Sequence, residues 1–466
     1  MNIFNTLSGK KERLEITTGK ELKLFVCGPT VYDSAHIGHA RTYLAFDIIV
    51  RYLRSLKQDV NYLQNITDID DKIIDRAAKE KISPEELAKQ FENEYMKDMA
   101  ALGVTQVTKY ARATDHIKEI ISQIEVLKEK GNAYEISNDG IYFDLSTFSE
   151  YGKLSHRTTL QAEDSVSRVD ESVQKRNKGD FALWKFEKRG EPSWPSPWGK
   201  GRPGWHIEDT AITEHYFGPQ YDIHGGGIDL KFPHHEAEIA QQEAASGKKP
   251  FVKIWMHTGS LLVDSQKMSK SLGNFITIKD FLKKHSPEVL RYIVLTHNYR
   301  SPIDYTEVLV TQAENALKNI REFVAKLRFV SILKKNDGLE LNLKEDLEKE
   351  REGFHAAMQD DFNSAKAIGE HVLGVGYKYQ DKTWNLKSVD AGELAKYLEI
   401  MFRIVAIEVK PEKIPDNILK LVQNREDLRT KKLFTESDVE RKKIEVQGYT
   451  IEDTPLGPFI WLKNSS

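Results

Sequence analysis

Leu22-Lys23-Leu24-Phe25-Val26-Cys27, Gly28-Pro29 and then Thr30-Val31-Tyr32-Asp33-Ser34-Ala35-His36-Ile37-Gly38-His39 decide how this chain folds. The apolar run has the length of a buried strand and ends at a Gly-Pro break. Beyond it Tyr43, Leu44, Ile48 and Leu53 recur on one face, which predicts a helix. Strand, tight turn and helix together aim free backbone N–H groups and a positive helix end at one spot, where phosphate is the usual guest. His36 and His39 add donors there, and Gly38 leaves room for a ligand against the backbone. Val60 to Ile66 reads as a second strand, so the start of the chain is a βαβ unit and the class is α/β with a parallel sheet.

Working outward, 466 residues allow roughly two to four domains with a large buried core. A net charge of −3 means that any nucleic acid must be met by local basic patches, not by a global field. The single cysteine excludes an intrachain disulfide and suits a reducing cytosol. Met1 to Glu15 has no apolar core of a secretory signal. Asp47, Arg51 and Arg54 interrupt the apolar stretch Tyr43 to Leu56, which is too short to span a bilayer. A cytoplasmic protein without membrane contact is expected.

Further along, Ser83-Pro84-Glu85-Glu86 is a capping box with proline at the first helical position. Ile117, Ile120, Ile121, Ile124 and Leu127 mark a helix stopping at Gly131, and Tyr134 to Asp144 a hairpin turning at Asn138-Asp139-Gly140. Arg168 to Gly204 reads as an irregular insertion. Strands are expected at Tyr221 to His224 and Val252 to Met256, with a helix from Pro233 between them and another over Glu288 to Leu295. From Thr311 the chain reads as almost wholly helical, with Lys335-Asn336-Asp337-Gly338 as a loop and Val409 to Pro415 as a linker.

A second cluster, Lys267-Met268-Ser269-Lys270-Ser271-Leu272-Gly273-Asn274, puts two lysines around small hydroxyl residues, a cationic flap suited to a leaving pyrophosphate. Together with His36-Ile37-Gly38-His39 it resembles the two signatures of class I aminoacyl-tRNA synthetases. Four further stretches narrow the resemblance to the cysteinyl-tRNA synthetase family. They are Phe25 to Asp33, Asn65-Ile66-Thr67-Asp68-Ile69-Asp70-Asp71-Lys72, Arg202-Pro203-Gly204-Trp205-His206-Ile207-Glu208, and His224-Gly225-Gly226-Gly227-Ile228-Asp229-Leu230 with the following Phe232-Pro233-His234-His235-Glu236. The likeness runs from about Phe4 through Trp461.

The resemblance implies a Rossmann-type parallel-sheet catalytic domain with an inserted connective segment, then an all-α helical bundle and a small C-terminal anticodon-binding domain. Expected boundaries are 1–110 and 205–310 for the catalytic halves, 111–204 for the insertion, 311–410 for the bundle and 411–466 for the tail. It implies L-cysteine, ATP with Mg2+ and tRNA(Cys) as substrates, a cysteinyl adenylate as intermediate, and a monomer. His36, His39, Lys267 and Lys270 would be catalytic, and Thr30, Gly38, Gly225 and Gly227 would join His36, His39 and Lys270 around ATP. Cys27, Thr67, Trp205 and Asp229 would bind cysteine, with His206, His224 and His257 crowding the pocket or serving as core histidines. Asp68-Ile69-Asp70-Asp71 reads as a solvated strand end and helix start, not a metal site.

The family selects cysteine with a Zn2+ ion, whose ligand positions map onto Cys27, Asp209, His234 and Glu238. Asp209 stands where the family has cysteine. Two readings follow: a harder zinc site with one protein sulfur, or a metal-free pocket in which Cys27, His234 and nearby histidines read the thiol. In the tail, Arg425, Arg429, Arg441, Asp453 and Trp461 match the family's anticodon-binding pattern, and Phe434 stands where a tryptophan is usual. Two alternatives are a ligase passing the cysteinyl group to a small-molecule amine and a non-catalytic RNA-binding paralogue.

Overall fold

The computed structural model describes residues 1–15, 19–157, 174–333 and 343–462. The chain divides into two compact units, Met1–Lys284 with Tyr299–Asp304, and His285–Asn298 with Tyr305–Ser466. No helix among the described residues is long and apolar enough to cross a membrane.

The first unit is built on five parallel strands: β1 (Leu22–Val26), β2 (Val60–Ile66), β3 (Lys109–Arg112), β4 (Tyr221–Gly227) and β5 (Val252–Thr258), in the order β5-β4-β1-β2-β3. The chain winds outward from β1 through β2 to β3, then returns to the other side of β1 to lay down β4 and β5. The reversal lies between β1 and β4, and in open α/β sheets ligands gather beyond the strand ends at that crevice. Two of the quoted stretches leave the sheet there, the one with Cys27 after β1 and the one with Gly225–Gly227 at the end of β4.

Helix α1 (Ile37–Ser55) packs on the sheet against β2, β4 and β5. Leu44, Phe46, Val50 and Leu53 on its apolar stripe are fully buried, each contributing about 1.5–3 kcal/mol by leaving water. The ring of Phe46 lies where a side chain on Gly225 would stand, 2.2 Å from an ideal Cβ. Gly225 therefore packs under α1, at a position that the resemblance assigns to ATP.

The insertion is more regular than its prolines and tryptophans imply. After the helix Ile117–Glu129 it forms a four-stranded antiparallel sheet, Ala133–Ile136, Gly140–Phe143, Phe181–Phe186 and Gly201–Pro203 in sequential order. The run Phe181-Ala182-Leu183-Trp184 is buried throughout. A strand buried on both faces loses the alternation that marks a half-exposed one, so the polar composition around it hides it. Arg168 to Val173 and the loop expected at Lys335–Gly338 lie outside the described residues. Two helices follow, α2 (Ile207–Phe217) and α3 (His234–Ser246), both largely enclosed.

The second unit is helical, as the apolar stripe of Glu307–Ile332 predicts: Ala313, Leu317, Val324 and Leu327 are buried. Other long helices are Leu343–Gln359, Ser388–Ile404, Asp416–Thr430 and Phe434–Val446. It is not helical to the end. Tyr449–Thr454 and Gly457–Leu462 pair as a hairpin, with Ile451 opposite Ile460. The charges around Ile451, Glu452 and Asp453 mask the strand pattern there.

Candidate active site

The two motifs, more than two hundred residues apart, meet at the first turn of α1. His36 is the residue before the helix, in extended conformation, and its Nδ1 accepts from the backbone N–H of Gly38 at 3.1 Å and of His39 at 3.4 Å. His39 returns the bond, its Nδ1 accepting from the His36 N–H at 3.3 Å. This is a capping box made of two imidazoles, stacked at 3.8 Å. The Ile37 N–H goes to the carbonyl of Ile276. The helix end therefore offers no ring of free N–H groups, contrary to the reading of the sequence. With both Nδ1 atoms accepting, the neutral rings carry their protons on Nε2, and these become the donors. Burial, and for His36 the neighbouring His39, pushes His36 down to about 3, while burial pushes His39 down to about 4. Both are uncharged donors at neutral pH.

The second motif is stitched onto this turn. His36 and Thr277 form a β-bridge, the Ile278 N–H donates to Ala35, and Phe275 meets the His36 ring edge-on at 5.1 Å. A Cβ on Gly38 would stand 2.8 Å from the His36 imidazole and 2.9 Å from the Met268 methyl, so glycine is required here by its own cap and by the second motif. Gln266–Lys267 is a short strand against Leu261–Val263, and Asn274 braces the loop by accepting from Ser269 N–H and donating to Lys267 O. Lys267 is exposed. Lys270 makes an ion pair with Asp33, whose other oxygen takes Arg76 at 2.6 Å. Thr30 is half-buried and bridges to Thr67.

Deeper in the crevice the chemistry changes. Cys27, Asp209, His234 and Glu238 come together, all at least 95% buried. His234 Nε2 faces Asp209 Oδ2 at 3.0 Å and Glu238 Oε1 at 3.1 Å, and the ligand atoms of Cys27, Asp209 and His234 lie within 4.8 Å of one another. Glu238 also lies 3.5 Å from His224 Nδ1 and groups with His224 and His235 within 4.8 Å, so it stands between two groups of donors. Burial above all, then Asp209 and Glu238, pushes the Cys27 thiol well above its ordinary value, and the thiol is hydrogen-bonded to Asp209. Burial, then Asp209, pushes both Glu208 and Glu238 well above the carboxylate range. Among the described residues, Asp209 Oδ1 and both oxygens of Glu238 have no hydrogen-bond partner. Burial drives His206, His224 and His235 well below 6.5, so none supplies a cation.

Three buried carboxyl groups and a thiol thus face one another without a positive partner among the described residues. Such a group is stable only protonated or around a cation. One sulfur, one nitrogen and two carboxylates are a donor set that zinc accepts, and the orphaned oxygens of Asp209 and Glu238 are what a bound ion would satisfy. The residues present fit the ion.

Around this cluster, Trp205 stacks on the His234 ring at 4.2 Å, and His206 Nδ1 contacts His234 Nδ1 at 2.7 Å, fixing the ring as supporting residues around metal ligands do. Thr67 donates to the buried Glu208. Asp229 is exposed just beyond β4, with an oxygen 2.6 Å from where a Gly227 Cβ would stand. His224 bonds Tyr221 and stacks on Trp255; His257 reaches Thr6 and His235. Asp70 caps the helix Asp71–Glu80, Asp68 holds Thr114 and Asp71 pairs with Lys185 and Arg202, so the string is a strand end and helix start that is half-buried and paired, not solvated. Asp33, Glu208 and His235 escape a reading of the sequence, although each stands inside a quoted stretch; nothing about an isolated acid or the second of two histidines marks it.

In the second unit the Arg425 side chain is 1% exposed and forks onto Asp453 at 2.8 and 2.9 Å. That pair is an internal brace, and its guanidinium is not presented to a ligand. Arg429 and Arg441 are half-buried, their side chains reaching Asp453 at 3.5 Å and Glu445 at 3.1 Å. Trp461 is half-buried too, with Lys318 over its ring.

The model of "tRNA synthetases class I (C) catalytic domain" matches residues 13–315. A cysteine–tRNA ligase of Thermococcus onnurineus is 43% identical over all of this chain and 99% of its own length. Those of Methanococcus maripaludis and Caldicellulosiruptor saccharolyticus are 44% and 43% identical, each match covering 98% of both chains. Among solved structures, a Mycobacterium tuberculosis methionyl-tRNA synthetase with methionyl-adenylate superposes with a TM-score of 0.61 at 16% identity, covering 83% of this chain and 89% of that one. A putative arginyl-tRNA synthetase of Campylobacter jejuni gives 0.58 at 16% identity, covering 84% and 94%. At such identities the superpositions speak for the fold.

Proposed function

The chain belongs to the class I cysteine–tRNA ligases, and from that premise we propose how its residues share the work. It is an enzyme that uses ATP to join cysteine to tRNA(Cys). The match extends through the tail, which leaves the small-molecule ligase and the non-catalytic paralogue without support.

The observation that carries the assignment of roles is the joining of the two motifs at the first turn of α1. ATP enters with its Mg2+ and lays its phosphates against the Nε2–H donors of His36 and His39, near Thr30, Gly38 and Gly227. The carboxylate of cysteine attacks the α-phosphorus; the bond to the β-phosphate oxygen breaks and pyrophosphate leaves with its charge. No protein nucleophile is needed, only alignment and donors matched to the charge that develops. Neutral imidazoles serve as fixed dipoles, and Lys270, with Lys267 beside it, meets the departing pyrophosphate. The terminal ribose hydroxyl of the tRNA then takes the acyl group and AMP is released.

Cysteine is held with its ammonium toward Asp229 and its side chain toward Cys27, Thr67 and Trp205. Cys27, Asp209, His234 and Glu238 would hold Zn2+, which supplies a soft Lewis acid for the substrate sulfur and rejects serine. Asp209 keeps the formal charge that a thiolate would bring and makes the donor set harder. Among tail residues, Arg429, Arg441 and Trp461 face the anticodon, whereas Arg425 and Asp453 hold the tail's shape.

Cysteine-dependent exchange of pyrophosphate into ATP, followed by charging of a tRNA(Cys) transcript, tests the reading. Both activities are expected. Exchange without charging would point to another acceptor, and folded protein lacking both would overturn it.

A further inference from the structure

Asp33 is not needed by any role so far assigned, yet it holds the most consequential lysine of the second motif. Its carboxylate is shared between two cations of different kinds. One oxygen takes Arg76 at 2.6 Å. Arg76 is itself held, by Glu80 at 2.7 Å and by the face of Phe91 at 4.6 Å. The other oxygen takes Lys270, whose side chain is 61% exposed and stands on a single turn of helix, Lys270–Leu272, closed by Ser269 and ended by Gly273 at a φ of 68°. Asp33 lies three residues before His36, so this pair sits on the rim of the place where the imidazoles would meet phosphate. Burial raises the Asp33 carboxyl, but the hydrogen bonds from Lys270 and Arg76 prevail and hold it below 3.8, so the anion persists.

We propose that Asp33 is the resting counter-ion of Lys270, a positioning residue from which a polyphosphate draws the lysine away and to which the lysine returns when pyrophosphate leaves. This rests on the reading that Lys270 meets the departing pyrophosphate. The arrangement is asymmetric in a way that suits the purpose. Arg76 keeps Asp33 in place when Lys270 departs, so the anion waits at the rim and does not follow. The several charges of a triphosphate outcompete one carboxylate for an exposed ammonium; the single charge left on an acyl adenylate does not. Once pyrophosphate loosens, the returning lysine removes the cation that would hold it, which favours product release over reversal.

The test uses the full-length enzyme. In Asp33→Asn the competing charge is gone while the size of the side chain is kept. We expect KM for ATP in exchange and the inhibition constant of pyrophosphate both to fall roughly two- to fivefold, the span of one exposed ion pair. Steady-state charging should slow while the single-turnover formation of adenylate does not. Asp33→Glu restores the charge and should return all three values toward wild type. In a Lys270→Ala background the Asn substitution should change neither constant, since its partner is already absent. A merely structural Asp33 would weaken ATP binding in both backgrounds, and that result, or unchanged constants in Asp33→Asn, would overturn the proposal. If Lys270→Ala alone leaves exchange intact, the role of Lys270 itself fails instead, which separates the two claims.

Discussion

The nucleotide end and the thiol end of the crevice are built on opposite principles. At the first turn of α1 much of the polar chemistry of both motifs is partnered within the protein: imidazole Nδ1 atoms cap backbone, Asn274 braces the loop and Asp33 takes two cations. At Cys27, Asp209, His234 and Glu238 the groups are more deeply buried, gather carboxylates of one sign and leave three of their oxygens without a hydrogen-bond partner among the described residues. The first end is finished by the chain alone and only exchanges partners when substrate arrives. On the proposed reading the second is finished by a bound ion. If so, nucleotide binding is written in fixed donors, and selection of the thiol would depend on an ion.

The largest effect that sharpens this contrast comes from Lys270→Ala, which should lower cysteine-dependent exchange about a hundredfold, as loss of one group aimed at developing charge typically does. Metal content, measured by elemental analysis, should not change. Loss of metal from that variant would break the separation of the two ends.

The next concerns Asp209. Asp209→Cys should slow the loss of metal to a chelator by about ten- to a hundredfold, because a second thiolate softens the site. Asp209→Ala should abolish retention and bring serine closer to cysteine as a substrate for exchange. Equal retention in wild type and the Cys variant would mean that Asp209 is not a ligand.

The smallest effect is on acid stability. His36 lies at about 3 and His39 at about 4 in the folded chain, against 6.5 when unfolded. Between these values the unfolded chain binds more protons, so stability must fall as pH drops below 6.5, by up to about 1.4 kcal/mol per pH unit for each ring. Replacing both with Asn should flatten the dependence of the urea midpoint on pH over that window. An unchanged slope would show that the rings are not neutral in the fold.

Much of this is legible in residues. The run Leu22 to Cys27, the glycine break and the stripe on α1 lead directly to the parallel sheet, and the pairing of two short motifs leads to the nucleotide end. Sequence could not show that His36 spends its Nδ1 on its own helix, because a cap and a ligand donor use the same residue type. Nor could it show that Gly225 serves Phe46, since a glycine looks the same whether a phosphate or a ring approaches it. The largely buried strand Phe181–Phe186 lacks the alternation that betrays a strand. Arg425 looks like any basic residue of a nucleic-acid surface until its carboxylate partner is found on the hairpin. Local chemistry is readable in one dimension; which partner a side chain chooses is settled in three.

The claim on which the contrast turns is that Cys27, Asp209, His234 and Glu238 are completed by an ion. Elemental analysis of the wild-type protein, purified without chelator, measures this directly. One zinc per chain is the expected result. Protein free of zinc that still carries out cysteine-dependent exchange would contradict it.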